Sequence, residues 1–137
     1  MAKSQTIFAL STYFAPSALA IIRISGDRSK AVLNKLCKNS NVKPRYAYFK
    51  EISDSQKQPI DKCIIIFYKS PESFTGEDLL EIHTHGSLAV IKRLLEELTN
   101  VENQLNSNQI ENAKSDLNWL IHNLELNLEV DNSNLNK

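Results

Sequence analysis

Ser73 to Ser87 reads SFTGEDLLEIHTHGS, a turn, a strand and the start of a helix in fifteen residues. Its first half is a turn: Thr75, Gly76, Glu77 and Asp78 shape it, Gly76 supplying backbone freedom and the two acids suited to capping a strand or helix. Leu79 to His85 follows as a strand in which Glu81, His83 and His85 occupy alternate positions and so share one face. Gly86 then leads into a helix whose Ile91, Leu94, Leu95 and Leu98 form an i, i+3, i+4, i+7 stripe. A strand and an amphipathic helix in succession need more strands to complete a core.

Those strands lie upstream. Cys63 to Tyr68 (CIIIFY) is wholly apolar and rich in β-branched residues, and Arg45 to Ile52 (RYAYFKEI) has aromatic, roughly alternating strand character. Between them Ser53 to Pro59 is a polar connection. Thr6 to Ser11 and Leu19 to Ser25 are two further strands, the second so continuously apolar (LAIIRIS) that it belongs in the middle of a sheet. Gly26 stops it, and Arg28 to Lys38 carries Val32, Leu33, Leu36 and Cys37 on one side at helical spacing, with Asp27 placed to cap the N-terminus. The expectation is an α/β (α+β) domain over residues 1–99, a mixed sheet of about five strands with two packing helices.

Past residue 99 the composition changes. Residues 100–137 hold eleven asparagines and no Gly or Pro. A polar linker is expected at 100–108 and an amphipathic helix with frayed ends over 109–137, built on Leu117, Leu120, Ile121, Leu124 and Leu128.

Bulk properties exclude more than they assign. A chain of 137 residues with 42% hydrophobic and 23% charged residues suits one soluble globular domain and a short appendage. Formal net charge is zero, with 14 Lys/Arg against 10 Asp/Glu in residues 1–99 and 2 against 6 beyond. So mild an excess is no footprint of direct RNA binding. Cys37 and Cys63 have 25 residues between them and no Cys-x-x-Cys spacing, which reads as free buried thiols in a reducing cytoplasm. No apolar run is long enough for a membrane span and no signal region opens the chain, so a cytoplasmic location is expected.

Two positions carry candidate chemistry. Arg23 is an ionised group inside the apolar run IIRIS, where desolvation demands a carboxylate or a bound anion in compensation. Either an ion pair with Glu81 or another acid, or a ligand role, meets that demand. Glu81, His83 and His85 are residue types that bind metals, yet shared-face spacing alone does not make a metal site. No metal ion is assigned, and each histidine is first a hydrogen-bonded sheet residue.

TIFAxST at the start, IIRISG (Ile21 to Gly26), KPRYAYF (Lys43 to Phe49) and SFTGEDLLEIHTHGS follow one another in an order and spacing that resemble the N-terminal domain of the MnmE (TrmE) family of tRNA-modification GTPases. The resemblance covers about residues 5 to 98. It implies a homodimer-forming domain, similar to the folate domains of one-carbon-transfer proteins, that binds 5-formyl- or methylene-tetrahydrofolate. Arg23 and Glu81 stand at the family's folate-contacting arginine and glutamate. The implied setting is carboxymethylaminomethyl-type modification of the tRNA wobble uridine, with the FAD-dependent MnmG (GidA) subunit as partner and tRNA engaged indirectly.

The chain also departs from the family pattern. The glycines usual before the arginine strand are replaced by Phe14, Ala15, Pro16, Ser17 and Ala18; the second glycine after the histidine pair is Ser87; and a downstream folate-contacting lysine has no counterpart. Gly26, Gly76 and Gly86 are the only glycines, so the 137 residues contain no Gly-x-x-x-x-Gly-Lys-Ser/Thr phosphate loop and cannot hydrolyse GTP by the family route. This points to a family domain ending before the GTPase module, with no catalytic residue assigned. The alternative is a dimerisation or interaction module that does not bind folate, or a degenerate remnant.

Overall fold

The computed structural model describes residues 5–107. By its internal contacts the chain divides into two units, Met1–Val101 and Glu102–Lys137. In the first, β1 (Ile7–Leu10), β2 (Ser17–Ser25), β3 (Ala47–Ser53), β4 (Pro59–Tyr68) and β5 (Leu79–Gly86) form a sheet in the order β1-β2-β5-β4-β3. The continuously apolar β2 is an inner strand, as its composition requires, and it lies beside the strand of the HTHG motif.

Every ladder is antiparallel. The sheet is therefore not mixed, because the connection through α1 (Ser29–Leu36) carries the chain to the far edge of the sheet instead of to a place beside β2. β4 also begins earlier than its apolar run. Asp54 takes the backbone N–H groups of Gln56 and Gln58, both at 2.9 Å, and closes a tight turn that leaves Pro59 and Ile60 free to join the strand.

Alternation separates the two faces. Ala20, Ile22 and Ile24 of β2, Leu80 and Ile82 of β5, and Ile65 of β4 are at most 1% exposed and share one face through their register. Both helices cover that face: Leu33 and Leu36 of α1 are buried, as are Ile91, Leu94, Leu98 and Val101 of the helix (α2) that begins at residue 88. Each large aliphatic side chain buried this way contributes about 1.5–3 kcal/mol. The opposite face bears Leu19, Ile21, Arg23 and Ser25 of β2 with Leu79, Glu81, His83 and His85 of β5, and is less deeply buried.

Asp27 does not cap α1. The residue at the cap position is Arg28, which makes no side-chain cap bond. The Arg28 backbone N–H instead donates to the Thr6 hydroxyl at 3.1 Å, and that hydroxyl donates to Asp27 at 3.3 Å. A residue 22 positions upstream thus satisfies the helix start, ahead of the neighbour that local spacing favoured. The Ser87 carbonyl accepts the first N–H of α2's ladder, from Ile91 at 3.0 Å.

Residues 102–107, the described part of the second unit, are helical. The expected linker at 100–108 is therefore helical through 107: the stretch has no Gly or Pro to stop a helix, and Val101 adds an apolar position three residues after Leu98. The amphipathic helix and tail expected over 109–137 lie outside the described residues.

Both cysteines are free and buried. Burial pushes the Cys63 thiol up to about 12, with the Asp61 charge adding to the effect, and burial raises Cys37 as well. The neutral thiol is the form the fold stabilises, so this contribution is complete below the ordinary thiol range and is lost as pH rises toward 12. Iodoacetamide at pH 8 is expected to label neither thiol of the native chain and both in guanidinium chloride. Rapid native labelling would contradict this burial.

Candidate functional site

Antiparallel pairing of β2 with β5 sets Arg23 directly opposite Glu81 on the face away from the helices. The spacing of LAIIRIS and LLEIHTHG predicts each side chain's alternation, and the register makes them neighbours. Glu81 is only 8% exposed. The Arg23 Nε lies 3.9 Å from a Glu81 carboxylate oxygen, close enough to feel its charge and too far for a hydrogen bond. That Nε is buried and has no hydrogen-bond partner among the described residues. Leaving such a donor unsatisfied costs about 1–3 kcal/mol.

Glu81 has other neighbours. His83 brings Nε2 to 3.1 Å from the same carboxylate oxygen. His85, two residues on, turns to a different acid, with Nδ1 2.9 Å from Asp61 and its backbone N–H donating to the other Asp61 oxygen at 2.9 Å. The alternate-position trio is thus divided between two carboxylates and does not converge on one point.

The SFTGED turn closes over this end of β5. Ser25, the last residue of β2, places its hydroxyl 2.7 Å from that of Thr75 and donates to the Glu77 carboxylate at 2.8 Å. Asp78 accepts from the Ser70 backbone N–H at 2.9 Å and from the Lys69 ammonium at 3.1 Å. Gly76 has φ +77°, a left-handed conformation that side chains resist. The polar residues of this motif therefore work mainly to hold the turn, and the residue they present is Phe74, 83% exposed.

Between the turn and the sheet lies a cavity of about 400 Å³ lined by Arg45, Tyr68, Leu79, Glu81 and the 71–74 segment. Ligand cavities commonly begin near this size. The Arg23 guanidinium carbon stands 5.2 Å from the Phe74 ring centroid, so the arginine reaches the cavity's aromatic wall without lining the cavity itself. Burial, and then the neighbouring Glu81 carboxylate, raise the Tyr68 phenol above its ordinary pKa, while Arg45 and Arg23 act against that rise. The site can accept hydrogen bonds at Glu81, which already takes one from the Tyr68 phenol, donate them at Arg23, and flank a flat ring with Tyr68 and Phe74.

Sequence reasoning named Arg23 and Glu81 as candidates and did not single out Tyr68, Phe74 or Arg45, which line the same cavity as Glu81. Tyr68 ends an apolar run and looks like core; Phe74 sits in a turn; Arg45 opens an aromatic strand segment. The glycine-free segment Phe14–Ala18 adjoins the Ser17–Gly86 end of the β2–β5 ladder, and none of its residues lines the cavity at the other end.

Comparison with known proteins gives a consistent result. The family model described as "GTP-binding protein TrmE N-terminus" matches residues 6–114. Similar proteins include the tRNA modification GTPase MnmE of Wolbachia sp. subsp. Drosophila simulans (strain wRi), 49% identical over 98 residues, which are 72% of this chain and 22% of that protein. The protein of the same name from Ehrlichia canis (strain Jake) is 51% identical over 94 residues, 68% of this chain and 21% of that protein. A more distant one, from a Nitratiruptor species, is 40% identical over 95 residues, 69% of this chain and 21% of that protein. The chain thus spans about a fifth of the length of the curated relatives it matches. With strands of one sheet running through its TIFAxST, IIRISG and KPRYAYF blocks, the SFTGED turn leading into a fourth, and the match covering all of them, the chain belongs to the TrmE N-terminus family.

Proposed function

We propose that the chain is a tetrahydrofolate-binding, dimer-forming module of the cytoplasmic system that modifies the tRNA wobble uridine. The observation that carries this reading is the unpartnered Arg23 Nε beside the buried Glu81 carboxylate, at the margin of a 400 Å³ cavity with two aromatic rings in its walls. A reduced pterin fits that donor set. Its paired ring N–H groups suit a carboxylate acceptor, its carbonyl oxygen suits a guanidinium, and its flat bicycle suits the Phe74 and Tyr68 rings. When bound, 5-formyl- or methylene-tetrahydrofolate supplies a one-carbon unit. Arg23 and Glu81 orient it and move no proton.

Dimerisation draws support from the less buried sheet face, where Leu19 and Phe49 are 47% and 69% exposed. In this reading the FAD-dependent MnmG (GidA) subunit and the tRNA are partners of the assembled system. The nucleotide hydrolysis named in the relatives' descriptions does not come from these residues, which lack a phosphate loop.

Calorimetric titration of the full chain with 5-formyl-tetrahydrofolate, alongside light scattering, tests the proposal. The expected outcome is a dimer that binds folate, with Arg23→Gln weakening binding about tenfold, the value of one hydrogen bond to a charged group. A dimer that ignores folate would favour the alternative, an interaction module without a cofactor. A monomer that ignores folate would refute both.

A further inference from the structure

Arg45 is the residue of the cavity with the least local reason to be where it is. Its φ is +67°, in the left-handed region that a long side chain enters only when its surroundings hold it there. Those surroundings are visible. Its backbone N–H donates to the Phe67 carbonyl at 2.7 Å, a guanidinium nitrogen donates to the Glu72 carbonyl at 3.0 Å, and the guanidinium carbon stands 5.3 Å from the Tyr68 ring centroid. Glycine or asparagine would meet the backbone requirement with less strain. An arginine at such a position points to the use of its side chain.

Among the described residues no carboxylate lies within ion-pair distance of Arg45. One of the five N–H donors of its guanidinium goes to Glu72, and the fork keeps donors for a second, planar acceptor. The cavity thus has a carboxylate, Glu81, and a cation, Arg45, both in contact with Tyr68's surroundings. A ligand rich in N–H donors throughout would suit Glu81 and be repelled by Arg45. A ligand with a donor-rich ring and a separate negative charge suits both.

We infer that Arg45 is the anion-holding residue of this cavity and takes a carboxylate carried on the ligand away from the ring that Glu81 grips. The inference rests on the folate reading and deepens it: the carboxylate is that of the benzoylglutamate tail, and Arg45 determines that the site prefers a tailed folate over a bare reduced pterin.

The test is calorimetric titration of the full chain with two probes, 5-formyl-tetrahydrofolate and 6-methyltetrahydropterin, which has no tail. Arg45→Asn keeps a residue that tolerates the left-handed backbone, so the fold is retained, as circular dichroism would verify. It is expected to weaken folate binding at least tenfold, to leave pterin affinity within twofold, and to flatten the salt dependence of folate binding. Arg45→Lys is expected to fall between, since a point charge replaces the fork. Equal weakening of both probes would make Arg45 a shaping residue and overturn the inference, as would no weakening of either, and in both cases the folate reading survives. Failure of the wild-type chain to bind either probe would overturn both.

Discussion

Glu81→Gln is expected to weaken binding of 5-formyl-tetrahydrofolate about a hundredfold, close to 2.7 kcal/mol, the loss of one or two charge-assisted hydrogen bonds. The substitution preserves volume, so the core beneath is undisturbed. What changes is chemistry: an acceptor-only carboxylate becomes an amide with two donors of its own, one of which must face the ring's N–H groups. Arg23 also loses the negative charge 3.9 Å from its Nε. A second, ligand-free readout accompanies the first. The Glu81 charge is one of the causes that raise the Tyr68 phenol, so its removal is expected to lower that ionisation in an ultraviolet titration of tyrosinate. Binding within twofold of wild type, together with an unchanged tyrosine titration, would mean that Glu81 is an ordinary sheet residue.

Much of the site was legible because a strand has a period of two. EIHTHG and IIRIS each state which of their own side chains share a face, and the apolar run around Arg23 announces a charge in need of compensation. Pairing was harder to see. That Arg23 meets Glu81 depends on the register of two strands more than fifty residues apart, which the closing turns and the buried face determine jointly. The direction of β3 has the same origin: a crossover helix permits either a parallel neighbour or a move to the far edge, and local spacing does not distinguish them.

The aromatic wall was illegible for a different reason. Tyr68 belongs to a strand whose apolar composition says core, yet as the last residue of that strand it projects beside Glu81 instead of under a helix. Phe74 has no periodic neighbours at all. Its placement follows from the Ser25, Thr75 and Glu77 contacts that fasten the turn, contacts that join segments about fifty residues apart. Arg45 was within a quoted motif, but its role requires knowing that its backbone is left-handed and that the 71–74 segment passes nearby.

The same ladder that aligns the site exposes its most sensitive position. Gly86→Ala would place a Cβ 2.0 Å from the Ser17 carbonyl oxygen and 2.4 Å from the Ser17 hydroxyl. No rotamer change relieves a clash with backbone, so β2 and β5 must separate at that end. The cost is expected to be about 3 kcal/mol or more, which lowers Tm by roughly 12–24 °C in a domain of about a hundred residues. Gly76→Ala is the informative contrast: its φ of +77° carries strain, but none of the described residues lies within 4 Å of the added carbon, so a loss of about 1 kcal/mol is expected. Because Ser17↔Gly86 and Arg23↔Glu81 are pairs of one ladder, a Gly86→Ala chain that still folds should also bind folate more weakly, whereas a Gly76→Ala chain should lose little stability. Thermal unfolding of both variants, followed by folate titration of whichever remains folded, separates the two effects. A Gly86→Ala chain that melts within about 3 °C of wild type, under the shift expected for 1 kcal/mol, would show that the ladder does not hold the close approach of Gly86 to Ser17.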